Sequence, residues 1–130
     1  MTFEQYEELR YRLIVDLYEV VAPHKARNRS YVSKDNYDQV SLIVKDIIEL
    51  LMVYSDVCED QGHIKGGKRL RDLVEYMKSD HIENVVEQLL EIGRTMAIRR
   101  IHYQNVNQTK YTMSHIVHPP RSWSTSTPQP

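Results

Sequence analysis

The stretch "GHIKGGKR", residues 62–69, is one residue short of a phosphate-binding loop. Such a loop needs Gly, four residues, Gly-Lys and then Ser or Thr. The glycine-rich nest wraps the phosphates, the lysine reaches them, and the hydroxyl holds Mg²⁺. Arg69 stands where the hydroxyl should be, and a guanidinium has no lone pair to offer a cation. The motif also needs a strand before it, whereas the residues preceding Gly62 read as a long helix. Nucleotide binding is therefore not expected. Gly62 reads instead as a helix C-cap, and Gly66 and Gly67 as the turn that reverses the chain.

The other residues with chemical potential also fall short of a site. "CEDQGH" places Cys58, Glu59, Asp60 and His63 close together. Helical zinc sites pair ligands as H-E-x-x-H, and di-iron bundles need two E-x-x-H helices and two further Glu. Asp60 and His63 make only half of such a pattern, so no metal and no cofactor is expected. "RTMAIRRIHYQN" is similar to the catalytic helix of HEPN-type ribonucleases only in being basic with a His and a Tyr. Those enzymes carry Arg, four to six residues, then His. Here the gaps from Arg94, Arg99 and Arg100 to His102 are seven, two and one residues. The all-α nucleotide pyrophosphohydrolases need E-x-x-E and E-x-x-D helices; Glu4 and Glu7 have the first spacing, and no partner follows. The chain is not expected to be an enzyme.

Two groups of residues remain as binding candidates. The first is basic. Residues 23–34 carry Lys25, Arg27, Arg29 and Lys34 without an acid, residues 64–78 carry a net +3, and residues 93–130 a net +5. In an up-down bundle, Lys65, Lys68, Arg69 and Arg71 could share a pole with Arg99 and Arg100 and take nucleic acid or an acidic protein surface. The plain alternative is a set of solvated helix ends. The second group is aromatic. The chain has nine tyrosines, one Phe and one Trp, and exposed aromatics beside Arg are common in protein interfaces. Trp123, Tyr111, Arg121 and Tyr103 are the candidate partner contacts. Pro119-Pro120 stiffens the segment "HPPRSW" into an extended form suited to docking.

These residues must be carried by helices. Phe3, Tyr6, Leu9, Leu13, Ile14, Leu17, Val20 and Val21 recur at three- and four-residue steps, one face of a helix. Thr2 and Gln5 make a capping box at its start, and Pro23 is expected to stop it. A basic connector, residues 23–33, leads to a second helix from about Ser33 to Gln61. Its polar residues Ser41, Lys45, Glu49, Ser55 and Asp56 fall in one narrow stripe, and the rest of its circumference is apolar. A helix of that kind is buried by several neighbours or joins an oligomer interface. Tyr6, Tyr18, Tyr37 and Tyr54 fall at or near core positions; Tyr11, Tyr31, Tyr103 and Tyr111 fall at partly exposed ones. A short third helix presents Leu70, Leu73, Val74 and Met77. A fourth starts at Ser79 or Asp80, with Asp80 and Glu83 as a second capping box, and places Ile82, Val85, Val86, Leu89, Ile92, Met96 and Tyr103 on one side. Its acids precede its arginines, which suits the helix dipole and implies one helix to about Gln104.

After Asn105 the sequence holds four of the five prolines, many Ser and Thr, and no acidic residue, a composition that cannot bury enough surface to fold alone. The expected organisation is a helical domain over 1–105 and an extended or disordered arm over 106–130. The fold class is all-α, a small four-helix bundle-like domain with a long central second helix. The bulk figures agree: 130 residues, 41% hydrophobic, 27% charged, net charge −1 make one ordinary globular domain with no global pull toward polyanions. "MTFEQYEELR" is too acidic to read as a signal or transit peptide. The apolar run Leu50–Ser55 is far below the ~20 residues that span a bilayer. A single Cys58 excludes an intrachain disulfide. These features point to a cytoplasmic, non-enzymatic module that binds a protein partner or forms a homo-oligomer, with nucleic-acid binding as the alternative and no membrane role. A small motif-poor chain of this kind suits an accessory factor, inhibitor or assembly component, including one of viral or phage origin.

Overall fold

The computed structural model describes residues 1–117, with side chains to Asn105. These residues form four helices and no strand: α1 Phe3–Asn28, α2 Tyr37–Asp60, α3 Ile64–Ser79 and α4 Ile82–Val117. They divide into two compact units, Met1–Gly93 and a second beginning at Arg94, with α4 running from the first into the second.

The first unit is built around α2, which packs against both α1 and α3. Its core joins Leu17 and Val21 of α1, Val40, Ile47 and Leu51 of α2, and Val85, Val86 and Leu89 of α4, all essentially inaccessible to water. Burying a side chain of that size contributes about 1.5–3 kcal/mol relative to leaving it exposed. The capping box at the start of α1 forms as the sequence implies. Gln5 N donates to Thr2 Oγ1 at 3.1 Å, and Thr2 N to Gln5 Oε1 at 2.9 Å.

Pro23 does not stop α1. The helix runs through it to Asn28, although a proline inside a helix removes one backbone donor and crowds the preceding turn. Burial of Val21 and His24 on either side of Pro23 offsets that loss and carries the helix on. It ends where Arg29 adopts φ 65° and donates its N–H to Lys25 O. The connector to α2 is held by Asn36, a buried residue whose Nδ2 donates to Tyr31 O at 2.8 Å and whose Oδ1 accepts from Ser33 N at 2.9 Å. That use of residues 31–36 delays the start of α2 to Tyr37. It also exposes Tyr37, and Tyr18 is exposed on α1; only Tyr6 and Tyr54 of the four expected core tyrosines are buried. Their rings stack at 4.2 Å.

Three further expectations change at the turns. Gly62, at φ 84°, does close α2, with its N–H bonded to Glu59 O. Gly66 and Gly67, however, lie inside α3. Ser55, assigned to the polar stripe of α2, is fully buried, because Gly67 lets α3 settle directly on it. Asp80 and Glu83 do not form a capping box. Asp80 accepts from His81 N and Asn84 Nδ2, while Glu83 turns away to the connector between α1 and α2. There it accepts from Tyr31 N at 2.9 Å and Val32 N at 3.1 Å. At the far end, α4 continues past Gln104 to Val117. Residues 106–117 hold no proline or glycine; the first proline of the tail is Pro119.

Candidate functional site

Each basic candidate on α3 is exposed, but their charges are not equally available. Arg71 is a clamp between helices. Its Nε and Nη2 donate to the two carboxylate oxygens of Glu59 at 2.9 and 2.8 Å, and Nη2 also reaches Asp56 Oδ1 at 2.7 Å. The hydrogen bonds from Arg71 hold the Glu59 carboxyl below the usual range, and the carboxylates push the guanidinium pKa up in return. Lys68 Nζ pairs with Asp72 at 3.1 Å, one turn on. Lys65 and Arg69 make no ion pair to a described residue. Two of the four candidate cations on α3 are thus answered by acids of the same unit. Arg99 and Arg100 lie on α4 in the second unit.

The surface of α2 is not purely polar. Leu42, Asp46, Glu49, Val53, Asp56 and Asp60 are all exposed, and they follow one another at four- and three-residue steps. That spacing lines them up along one side of the helix. Leu42 is 63% exposed and Val53 51%. Beside this stripe, an open groove of about 360 Å³ is lined by Val44, Ile48, Met52 and Ile82, with Lys45 and Lys78 also on its wall.

The second unit carries a comparable line. Arg94, Ile98, Ile101 and Asn105 of α4 repeat the same four-three-four spacing and are exposed. Ile98 is 61% exposed and Ile101 57%; Tyr103, on another side of the helix, is 67% exposed. The apolar side chains of Ile98 and Ile101 were not singled out from sequence, because a 3.6-residue plot of α4 assigns its apolar stripe to Val85, Val86, Leu89 and Met96. An a/d-type count started at Arg94 would have found them.

The charge of the two units is opposite. All eighteen acidic residues of the chain precede Arg94, together with twelve of the seventeen basic ones, so the first unit is net −6. The second has five basic residues and no acid. The near-neutral total conceals a strongly bipolar chain.

No family model, curated protein or solved structure matches the chain. Among the described residues no group of three His, Cys, Asp or Glu could hold a metal, and no helix is long and apolar enough to cross a membrane. Cys58, Glu59, Asp60 and His63 do not converge: Cys58 is buried on the inner side of α2, while Asp60 and His63 are exposed. Of the aromatic candidates, Tyr103 is exposed, as a partner contact requires, and so does not belong to the inner stripe of α4 on which its spacing placed it; Tyr111 falls on α4. Arg121 and Trp123 lie outside the described residues.

Proposed function

We propose that this is a non-enzymatic helical module of the cytoplasm, working by contact with another protein or with further copies of itself. The observation that carries the reading is the exposed apolar pair Ile98 and Ile101, aligned on a helix with Tyr103 nearby in sequence. Exposed apolar side chains scattered singly are ordinary, whereas aligned ones on a helix mark a binding face. Tyr111, Arg121 and Trp123 extend the same segment with further partner contacts of the kind that dominate interfaces. The test is capture from native host cells, followed by quantitative mass spectrometry. The bait is the full chain, compared with an Ile98→Asp/Ile101→Asp variant and with Trp123→Ala. A partner recovered by wild type should fall by roughly tenfold or more with both variants. Equal recovery by all three baits overturns the assigned face.

One observation favours nucleic acid as a second reading. Helix α3 opens with Lys65, Lys68 and Arg69 and has no acid in its first turn, the reverse of what the helix dipole favours. An anionic partner there would offset that repulsion. On this reading Lys65, Lys68, Arg69 and Arg71, and separately Arg99 and Arg100, touch phosphates. Retention on DNA or RNA would then fall steeply with salt and disappear on Lys68→Glu/Arg69→Glu with the helical circular dichroism intact. Binding that survives the double reversal removes this reading.

A further inference from the structure

Two exposed stripes of matching spacing and opposite charge stand on one chain. On α2, the stripe sets two apolar side chains, Leu42 and Val53, among four acids, Asp46, Glu49, Asp56 and Asp60. Asp56 is engaged by Arg71, but Asp46 and Glu49 make no ion pair to a described residue. On α4, Arg94, Ile98, Ile101 and Asn105 follow the same rhythm, in a stretch, 94–105, whose charged residues are Arg94, Arg99 and Arg100. Steps of four and three residues are what one helix needs to lay a seam into the groove of another at a shallow crossing angle.

We infer that the Arg94–Asn105 stripe of one copy packs on the Leu42–Asp60 stripe of a second copy, so that the chain associates head to tail. The inference rests on the protein-binding reading above and narrows it to one partner, another copy of this chain. Charge selects the arrangement. Pairing α2 with α2 would set Asp46 and Glu49 against their own images, and pairing α4 with α4 would oppose segments that carry only positive charge. Like-charge contacts of this kind reject the symmetric alternatives. The cross pairing covers Leu42 and Val53 with Ile98 and Ile101 and brings the net −6 unit to the acid-free segment. Nucleic acid bound at α4 would leave both apolar pairs in water. A head-to-tail contact leaves each end with one unused stripe, so it continues into a ring or an open chain rather than stopping at two. Two stripes of this length make a small interface, which places the association in the micromolar range or weaker.

Sedimentation velocity on the full chain, from about 10 to 200 µM, brackets an interface of that size. Wild type should grow in mean mass with concentration. Asp46→Lys/Glu49→Lys loses the acidic stripe and keeps the basic one. Ile98→Asp/Ile101→Asp does the reverse. Each variant should be monomeric alone, and their equimolar mixture should form a 1:1 pair and nothing larger, since only one contact can be made. Raising salt from about 0.05 to 0.5 M should weaken wild-type association several-fold, because the Debye length shortens to a few ångströms; this measurement needs no variant to fold. A monomeric wild type across the range, association of either variant like wild type, a mixture that stays monomeric, or insensitivity to salt overturns the inference. A monomer that still captures a host protein through Ile98 and Ile101 leaves the broader protein-binding reading standing and sinks only this one.

Discussion

Gly66 and Gly67 are adjacent and alike in sequence, yet the fold uses only one of them. A methyl group added at Gly67 would meet Glu59 Cγ at 2.8 Å and the backbone oxygen of Ser55 at 3.0 Å. Helix α3 therefore rests on α2 at a distance only glycine permits, and Ser55 is buried beneath it with its hydroxyl turned back to Met52 O. At Gly66 the nearest atom is Cys58 Sγ at 3.9 Å, an ordinary contact. Replacing a helical glycine by alanine stabilises by about 1 kcal/mol when nothing obstructs it. Gly66→Ala should accordingly raise the melting midpoint. Gly67→Ala gains the same propensity, but overpacking against a backbone atom costs about 1–3 kcal/mol, so its midpoint should fall. Urea titrations of the two variants beside wild type measure the difference, and a rise for both would mean that α3 can back away from α2. The near-miss phosphate loop is, in this light, a packing device: Gly62 turns the chain and Gly67 admits a neighbouring helix.

At the level of elements, the features legible in the sequence were those decided within one or two turns. The Thr2–Gln5 box, the C-capping role of Gly62 and most of the inner faces of α1, α3 and the first part of α4 depend on neighbours three or four residues away, which spacing reveals; on α1, Phe3 and Leu9 share the apolar periodicity but are exposed. Pro23, Gly67, Asp80 and Glu83 depend on segments far along the chain, which spacing cannot reveal. Glu83 is the clearest case. Its position three residues after Asp80 has the capping-box spacing, but its carboxylate instead ties the start of α4 to a connector some fifty residues earlier. Two backbone N–H groups of the connector between α1 and α2 converge on one anion, a charge-assisted arrangement. Loss of such a pair typically costs about 1–3 kcal/mol. Glu83→Ala should destabilise the fold by that order, and Glu83→Gln by an intermediate amount, because the amide's NH₂ faces a donor. Amide exchange should report the cause, since the N–H groups of Tyr31 and Val32 lose protection in both variants ahead of the helix interiors. A variant that melts lower while those two amides stay protected would place the stabilisation elsewhere.

Over the whole molecule, the compositional break at Asn105 and the structural one at Gly93–Arg94 do different things. The first marks where acids and strong helix formers have given way to Ser, Thr and Pro. The second marks where the compact first unit ends, and it coincides with the end of the acidic half of the chain. The first is legible because composition is local; the second is not, because Gly93 lies inside a helix that continues on both sides of it. The buried side chains settle which of the two limits folding. Along the described chain the last of them are Leu89 and Met96, and from Ile98 onward every described side chain except Arg100 is exposed. A chain ending at Ala97 should therefore keep a cooperative thermal transition within a few degrees of full length. A chain ending at Val86 should not fold, since it lacks Leu89 and the glycine at which α4 meets Ile14; a side chain at Gly93 would come within 2.5 Å of Ile14 Cγ2. Circular dichroism melts of the two fragments test this. If the longer fragment melts without cooperativity, the residues after Ala97 contribute to the core, and the exposed isoleucines of α4 are held by the fold itself rather than kept for a partner.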